Sequence, residues 1–140
     1  MSIEKLSDCI KNKNVNISRA REAIYNLIIS SEECLNVAQI IKLLPEYYPK
    51  KISQNTLYRH LNFFLECNLV IMLQDDFKRS YYYPKQQLFM IFSVCIHCNK
   101  VARLDVDTSC IHNEFPTAEF ITVHKLCSLC SEKNKKSIFL

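Results

Sequence analysis

The chain has 140 residues, 49% hydrophobic and 23% charged, a balance that supports a buried core and excludes a disordered polyelectrolyte. Its length fits one domain or two small ones. The net charge of +4 is too small to argue by itself for a polyanionic partner, so the placement of individual Arg and Lys residues has to carry that argument.

Residues 1–13 alternate charges with isolated apolar side chains, unlike a secretory signal. The longest apolar run, from Leu88 to Ile96, suits a buried strand and is far too short to span a bilayer. The expectation is a cytoplasmic protein with no membrane association. In that setting eight cysteines point to metal binding before a disulfide framework. Glycine is absent, so backbone positions that require positive φ fall mostly to Asn or Asp.

In chain order, Ile3, Leu6 and Ile10 mark one face of a short helix. Ser18 caps a second helix with Ala20, Ala23, Ile24, Leu27 and Ile28 inward. Asn36 caps a third, with Val37, Ile40, Ile41 and Leu44 inward and Pro45 as its stop. Ser53 caps a fourth, whose inner face is Leu57, Leu61, Phe64 and Leu65 and whose end places Asn68 in the left-handed region. Val70–Leu73 and Tyr81–Tyr83 form a hairpin around Asp75, Asp76, Phe77, Lys78 and Arg79. Helices followed by a hairpin make a winged helix-turn-helix. After a linker at 85–87, strands are expected over Leu88–Val94, Val101–Leu104 and Glu119–Val123, with a short helix or loop around Val106–Asn113. The fold class is thus α+β, with domains at 1–84 and 88–140. Cys9 and Cys67 fall on apolar faces or helix ends and read as core residues.

The fourth helix also has a polar face, formed by Gln54, Asn55, Tyr58, Arg59 and Asn62. Arg pairs with guanine or phosphate, Asn and Gln pair with adenine, and an aromatic ring packs on thymine methyls. An ordinary solvated face has similar composition. Lys50 and Lys51 ahead of the helix, and Lys78 and Arg79 on the hairpin, favour DNA.

Cys95-Ile96-His97-Cys98 and Cys127-Ser128-Leu129-Cys130 are two CxxC pairs with 28 residues between them. Two such pairs enclose one tetrahedral ion, and a four-sulfur shell leaves no open position for substrate. One structural Zn²⁺ per chain is expected, without enzymatic activity. Buried cysteines or a disulfide pair are the competing reading. With four thiolates and one divalent ion the net charge drops to about +2.

These motifs in this order resemble the ferric uptake regulator (Fur) family of bacterial transcription factors. The segment from Ile52 to Asn62, with Thr56-Leu57-Tyr58-Arg59, resembles its recognition helix. Asn16 to Arg21 resembles the opening of its second helix, and the two CxxC pairs resemble its zinc pairs. Val123-His124-Lys125-Leu126-Cys127 is similar to the zinc uptake regulator branch. The resemblance implies an N-terminal DNA-binding domain and a C-terminal dimerisation domain, hence a homodimeric repressor on a palindromic operator. It implies DNA contacts by Arg21, Tyr58 and Arg59, with Ser53 and Thr56 near phosphates. Asn68 and Asn99 stand where the family has glycine.

The chain also departs from the family. Leu88-Phe89-Met90-Ile91-Phe92 replaces a His-rich segment that supplies regulatory-metal ligands, Tyr83 replaces a Glu, and Arg103 replaces an acidic ligand. The segment between the CxxC pairs is shorter than usual. The implied regulatory metal site is degenerate, and burial of these apolar side chains between domains is expected to take the place of a metal bridge. Cys34, Cys110, His97, His112 and His124 are the remaining candidates for a second site. Two other functions compete: a zinc-stabilised interaction module that no longer binds an operator, and a thiol redox protein using CxxC.

Overall fold

Ser18, Asn36 and Ser53 start their helices as side-chain caps in the computed structural model, which describes residues 3–12 and 18–138. Each cap satisfies a backbone N–H that has no partner inside its own helix. The helices are α1 (Ile3–Asn12), α2 (Arg19–Ser30), α3 (Val37–Leu43) and α4 (Gln54–Glu66). At α3 the cap is reciprocal: the Gln39 N–H donates to Asn36 Oδ1, and the Asn36 N–H donates to Gln39 Oε1, both at 2.8 Å. A 3₁₀ turn, Leu44–Glu46, carries Pro45 and ends α3.

The end of α4 is a Schellman turn. Asn68 takes φ 58°, its N–H donates to the Leu65 carbonyl, and the Leu69 N–H donates to the Phe64 carbonyl. Asn99 has φ 62°, as expected for a glycine-free turn, and Lys78 has the same φ. A long flexible side chain in this region was not anticipated. The tight turn that ends at Lys78, where its N–H donates to the Asp75 carbonyl, imposes it.

Contacts divide the chain into two units, Met1–Leu73 with Ser80–Lys85, and Gln74–Arg79 with Gln86–Leu140. In the first, α1–α4 pack around Ile24, Tyr25, Ile40, Leu57, Leu61 and Phe64, and the Tyr25 and Phe64 rings meet at 5.4 Å. Burial of each such side chain contributes about 1.5–3 kcal/mol. Three inward expectations change, the first being Ala20, which is half-buried. Ile41 is 45% exposed, and Leu65 is half-buried while its neighbour Phe63 is buried. α3 turns Ile40 to the core, and Ile41, about 100° further round the helix, toward solvent.

β2 (Val70–Gln74) and β3 (Ser80–Pro84) form the hairpin, and β1 (Leu35–Asn36) adds a third strand antiparallel to β3, giving the order β1-β3-β2. Pro84 ends β3. Cys9 of α1 and Cys67 at the end of α4 are more than core neighbours: they form a disulfide with their Cα atoms 6.1 Å apart.

In the second unit β4 (Met90–Cys95) is central, antiparallel to β5 (Val101–Leu104) and parallel to β6 (Phe120–Lys125). All six residues of β4 are buried, which explains its continuous apolar run. It starts at Met90 rather than Leu88, and Leu88 is 72% exposed. α5 (Ser109–Glu114) joins β5 to β6, and α6 (Ser128–Ile138) follows the sheet. α6 was not anticipated, because its sequence has no apolar face. No described helix is long and apolar enough to cross a membrane.

Candidate metal centre and nucleic-acid interface

Strand register brings the two CxxC pairs together. β4 and β6 run parallel with Cys95 opposite Lys125, so both strands end side by side; the first CxxC starts at the last residue of β4 and the second lies just after β6. The Ile96 N–H donates to the Lys125 carbonyl at 3.1 Å and fastens the first turn to the second. Asn99, in left-handed conformation, returns the chain into β5. Cys130 lies one helical turn beyond Cys127, where the Ser131 N–H donates to the Cys127 carbonyl.

The four sulfurs of Cys95, Cys98, Cys127 and Cys130 lie within 4.8 Å of one another, with Cys98 and Cys127 at 3.8 Å. Zinc–thiolate bonds of about 2.3 Å in a tetrahedron place sulfurs about 3.8 Å apart, so the donor set fits zinc. Cys95 Sγ accepts three backbone N–H groups, from His97, Cys98 and Cys127, each at 3.4 Å. The N–H of Cys98, then that of Cys127, pull the Cys95 thiol down to about 5. Cys127 is lowered chiefly by the N–H of Cys130. Burial, then the neighbouring sulfurs, push Cys130 up to about 12. Four close thiols cannot all ionise alone, and a divalent cation supplies the missing charge. Cys95 carries the most acidic thiol yet is 1% exposed, which suits a ligand and not an attacking nucleophile.

Among the described residues, this is the one group of three or more His, Cys, Asp or Glu side chains within ligating reach. Cys34 is buried, the His112 ring packs on Phe89 at 5.3 Å, and His124 Nδ1 lies 3.3 Å from Asp76. These residues and Cys110 are not gathered into a second site. At the positions where the resemblance implies regulatory-metal ligands, Met90, Ile91 and Phe92 serve the sheet core of their own unit, Tyr83 is buried in β3, and Arg103 sits opposite Phe92 on β5.

On α4, Leu57, Leu61 and Phe64 are buried, while Gln54, Asn55, Tyr58, Arg59 and Asn62 are exposed. Ser53 Oγ accepts the Thr56 N–H at 3.2 Å and donates to Thr56 Oγ1 at 2.8 Å, which orders the start of the helix. Arg21 is half-buried in the first turn of α2. Its Nε–H donates to His60 Nδ1 at 3.2 Å, and its guanidinium lies 4.0 Å from the centre of the Phe63 ring. Burial first, and the cations Arg21 and Arg59 second, hold the His60 imidazole below its usual range. Burial and the Arg59 charge lower Arg21. The sequence reading missed His60 and Phe63; the available signal was a polar residue between Arg59 and Leu61 at the edge of the apolar face.

The hairpin tip is organised by Asp75, which is 5% exposed. Its carboxylate accepts the N–H groups of Phe77 and Arg79 and the Arg79 Nε–H at 2.7 Å. Arg79 is therefore a structural clamp as well as a surface cation. Lys78, Lys50 and Lys51 are exposed.

The family model described as the Ferric uptake regulator family matches residues 12–127, with Cys130 just beyond its end. The ferric uptake regulator Fur of Helicobacter pylori has a similar structure, at 20% identity over 92% of this chain and 91% of that one, with a TM-score of 0.78. A zinc uptake regulator solved with zinc and DNA is 20% identical over 95% of both chains, at a TM-score of 0.57. PerR from Streptococcus pyogenes, a protein of peroxide sensing and gene regulation, is 24% identical over 91% of both chains, at 0.53. No match was found among curated proteins. With the family model covering most of its length, this chain belongs to the Ferric uptake regulator family.

Proposed function

We propose that the protein is a sequence-specific DNA-binding transcriptional repressor, acting as a homodimer on a palindromic operator, with one structural Zn²⁺ per chain held by Cys95, Cys98, Cys127 and Cys130. Residues 1–84 form the DNA-binding domain, 85–87 the linker and 88–140 the dimerisation domain. The observation that carries this reading is α4. Its apolar side is buried, and a capped, polar, Arg-bearing side faces outward. Gln54, Asn55, Tyr58 and Arg59 read bases, Ser53, Thr56 and the helix N-terminus hold phosphate, and Arg21 and Lys78 add charge. Family membership, and the zinc and DNA bound by the related zinc uptake regulator, support it.

The test is a salt-dependent binding measurement on a duplex selected by the full-length protein from a random pool. Arg59→Ala is expected to weaken binding to that duplex by about 1–3 kcal/mol and to relax sequence preference. Lys78→Ala is expected to weaken all duplexes alike and to reduce the slope of log K against log salt by about 1. Wild-type affinity in Arg59→Ala rules out α4 as the reading helix.

The regulatory metal site is degenerate. Leu88 to Phe92, Tyr83 and Arg103, at its positions, include no His, Cys or carboxylate, and Glu33 and Cys34, which fall at a His-containing loop of the family, lack the usual co-ligands. A ligand shifts a conformational equilibrium only through different affinity for the two states. Operator affinity is accordingly expected to stay within about twofold when iron, manganese or further zinc is added to the zinc-loaded protein. A saturable tenfold gain at micromolar metal contradicts this.

A further inference from the structure

We propose that His60 is a positioning residue for Arg21, holding its guanidinium for DNA only while the imidazole is neutral, so that operator affinity falls on acidification. This rests on the DNA-binding reading above and adds a proton-sensitive element to it.

The geometry assigns the tautomer. The Arg21 Nε–H donates to His60 Nδ1, so Nδ1 carries no proton and a neutral ring has its proton on Nε2. The Phe63 ring supports the guanidinium from a second direction, 4.0 Å away, and the Ser18 cap fixes the Arg21 backbone N–H. One hydrogen bond and one ring contact leave Arg21 few orientations. Its Nη groups make no hydrogen bond among the described residues, and they remain for a phosphate or base edge.

Protonation reverses each contribution. An imidazolium donates from both nitrogens and cannot accept from Arg21. It also places a third cation beside Arg21 of α2 and Arg59 of α4, the two charged groups that act on His60, in a site where His60 is 8% exposed. Both effects and burial keep the ring neutral until the pH is below its usual value of 6.5. Acidification should then expel Arg21 from its seat. The direction of the effect is diagnostic. Added positive charge by itself tightens DNA binding, so a loss of affinity on acidification has the opposite sign.

The experiment measures affinity of the full-length, zinc-loaded protein for its selected duplex between pH 7.5 and pH 5.5 at constant ionic strength. Circular dichroism at each pH follows the fold. Wild type should lose about fivefold or more in affinity with its helix content intact. His60→Gln should reduce that loss below about twofold, because the glutamine Oε1 accepts from Arg21 without titrating. Nitrogen chemical shifts of the His60 ring should show an unprotonated Nδ1 at pH 7.5, and Arg21→Leu should move them. Affinity that is flat or rises on acidification overturns the role of His60, as does an equal fall in His60→Gln or a fall that follows loss of helix. Failure of wild type to bind any duplex at pH 7.5 overturns the DNA-binding reading itself.

Discussion

Removing zinc is expected to unfold the second unit and leave the helices of the first in place. The four cysteines sit at the ends of β4 and β6 and at the start of α6, so the ion closes the sheet end on which three elements converge. Structural zinc sites of this kind contribute on the order of 10 kcal/mol of apparent binding energy coupled to folding. A unit with a three-stranded sheet and two short helices has little core with which to replace it. Cys98→Ser removes an exposed ligand whose substitution opens no core cavity, so its effect isolates the metal. The expected result is loss of the single zinc per chain by metal analysis. The β signal should be lost with it and the helical signal of α1–α4 retained in far-ultraviolet circular dichroism. A folded Cys98→Ser protein without zinc contradicts the assignment.

The next largest effect is expected at the other end of the chain. The Cys9–Cys67 disulfide closes a loop across 58 positions, from α1 to the residue that caps α4. On the loop-entropy model such a closure stabilises by about 4 kcal/mol. Cys67→Ser is expected to lower the unfolding free energy of the first unit by about 2–4 kcal/mol relative to the oxidised protein, and to match the wild type kept reduced. Comparing the two in denaturant, with zinc saturating throughout, separates this from the metal centre. Equal stability of oxidised wild type and Cys67→Ser shows that the bond does not constrain the unfolded chain. Under reducing conditions this bond and its contribution are lost.

Acid is expected to act on stability through the same imidazole that bears on DNA. The folded pKa of His60 lies below the unfolded one, so the unfolded chain binds more protons in the interval between them. Stability contributed by neutral His60 is fully present above the unfolded pKa near 6.5. It is lost as pH falls below that value toward the folded pKa.

What the amino-acid sequence determined by itself is what neighbours within a turn or two can decide. Ser18, Asn36 and Ser53 start helices because each side chain reaches a backbone N–H three residues away. Asn68 and Asn99 adopt left-handed backbone because no glycine is present and Asn tolerates it at least cost. The CxxC spacing and the polar side of α4 were legible for the same reason. The tertiary structure decided the rest, because those pairings join residues whose mutual distance no local pattern encodes. Two-residue β1 is too short to show alternation, and only its partner β3 makes it a strand. The parallel register of β4 and β6 unites the two cysteine pairs. Cys9 finds Cys67, and Arg21 finds His60 across 39 positions. α6 forms on a polar sequence whose start is fixed by the second cysteine pair. In each case the deciding energy is desolvation or pairing with a distant side chain, which exists only once the chain has closed on itself.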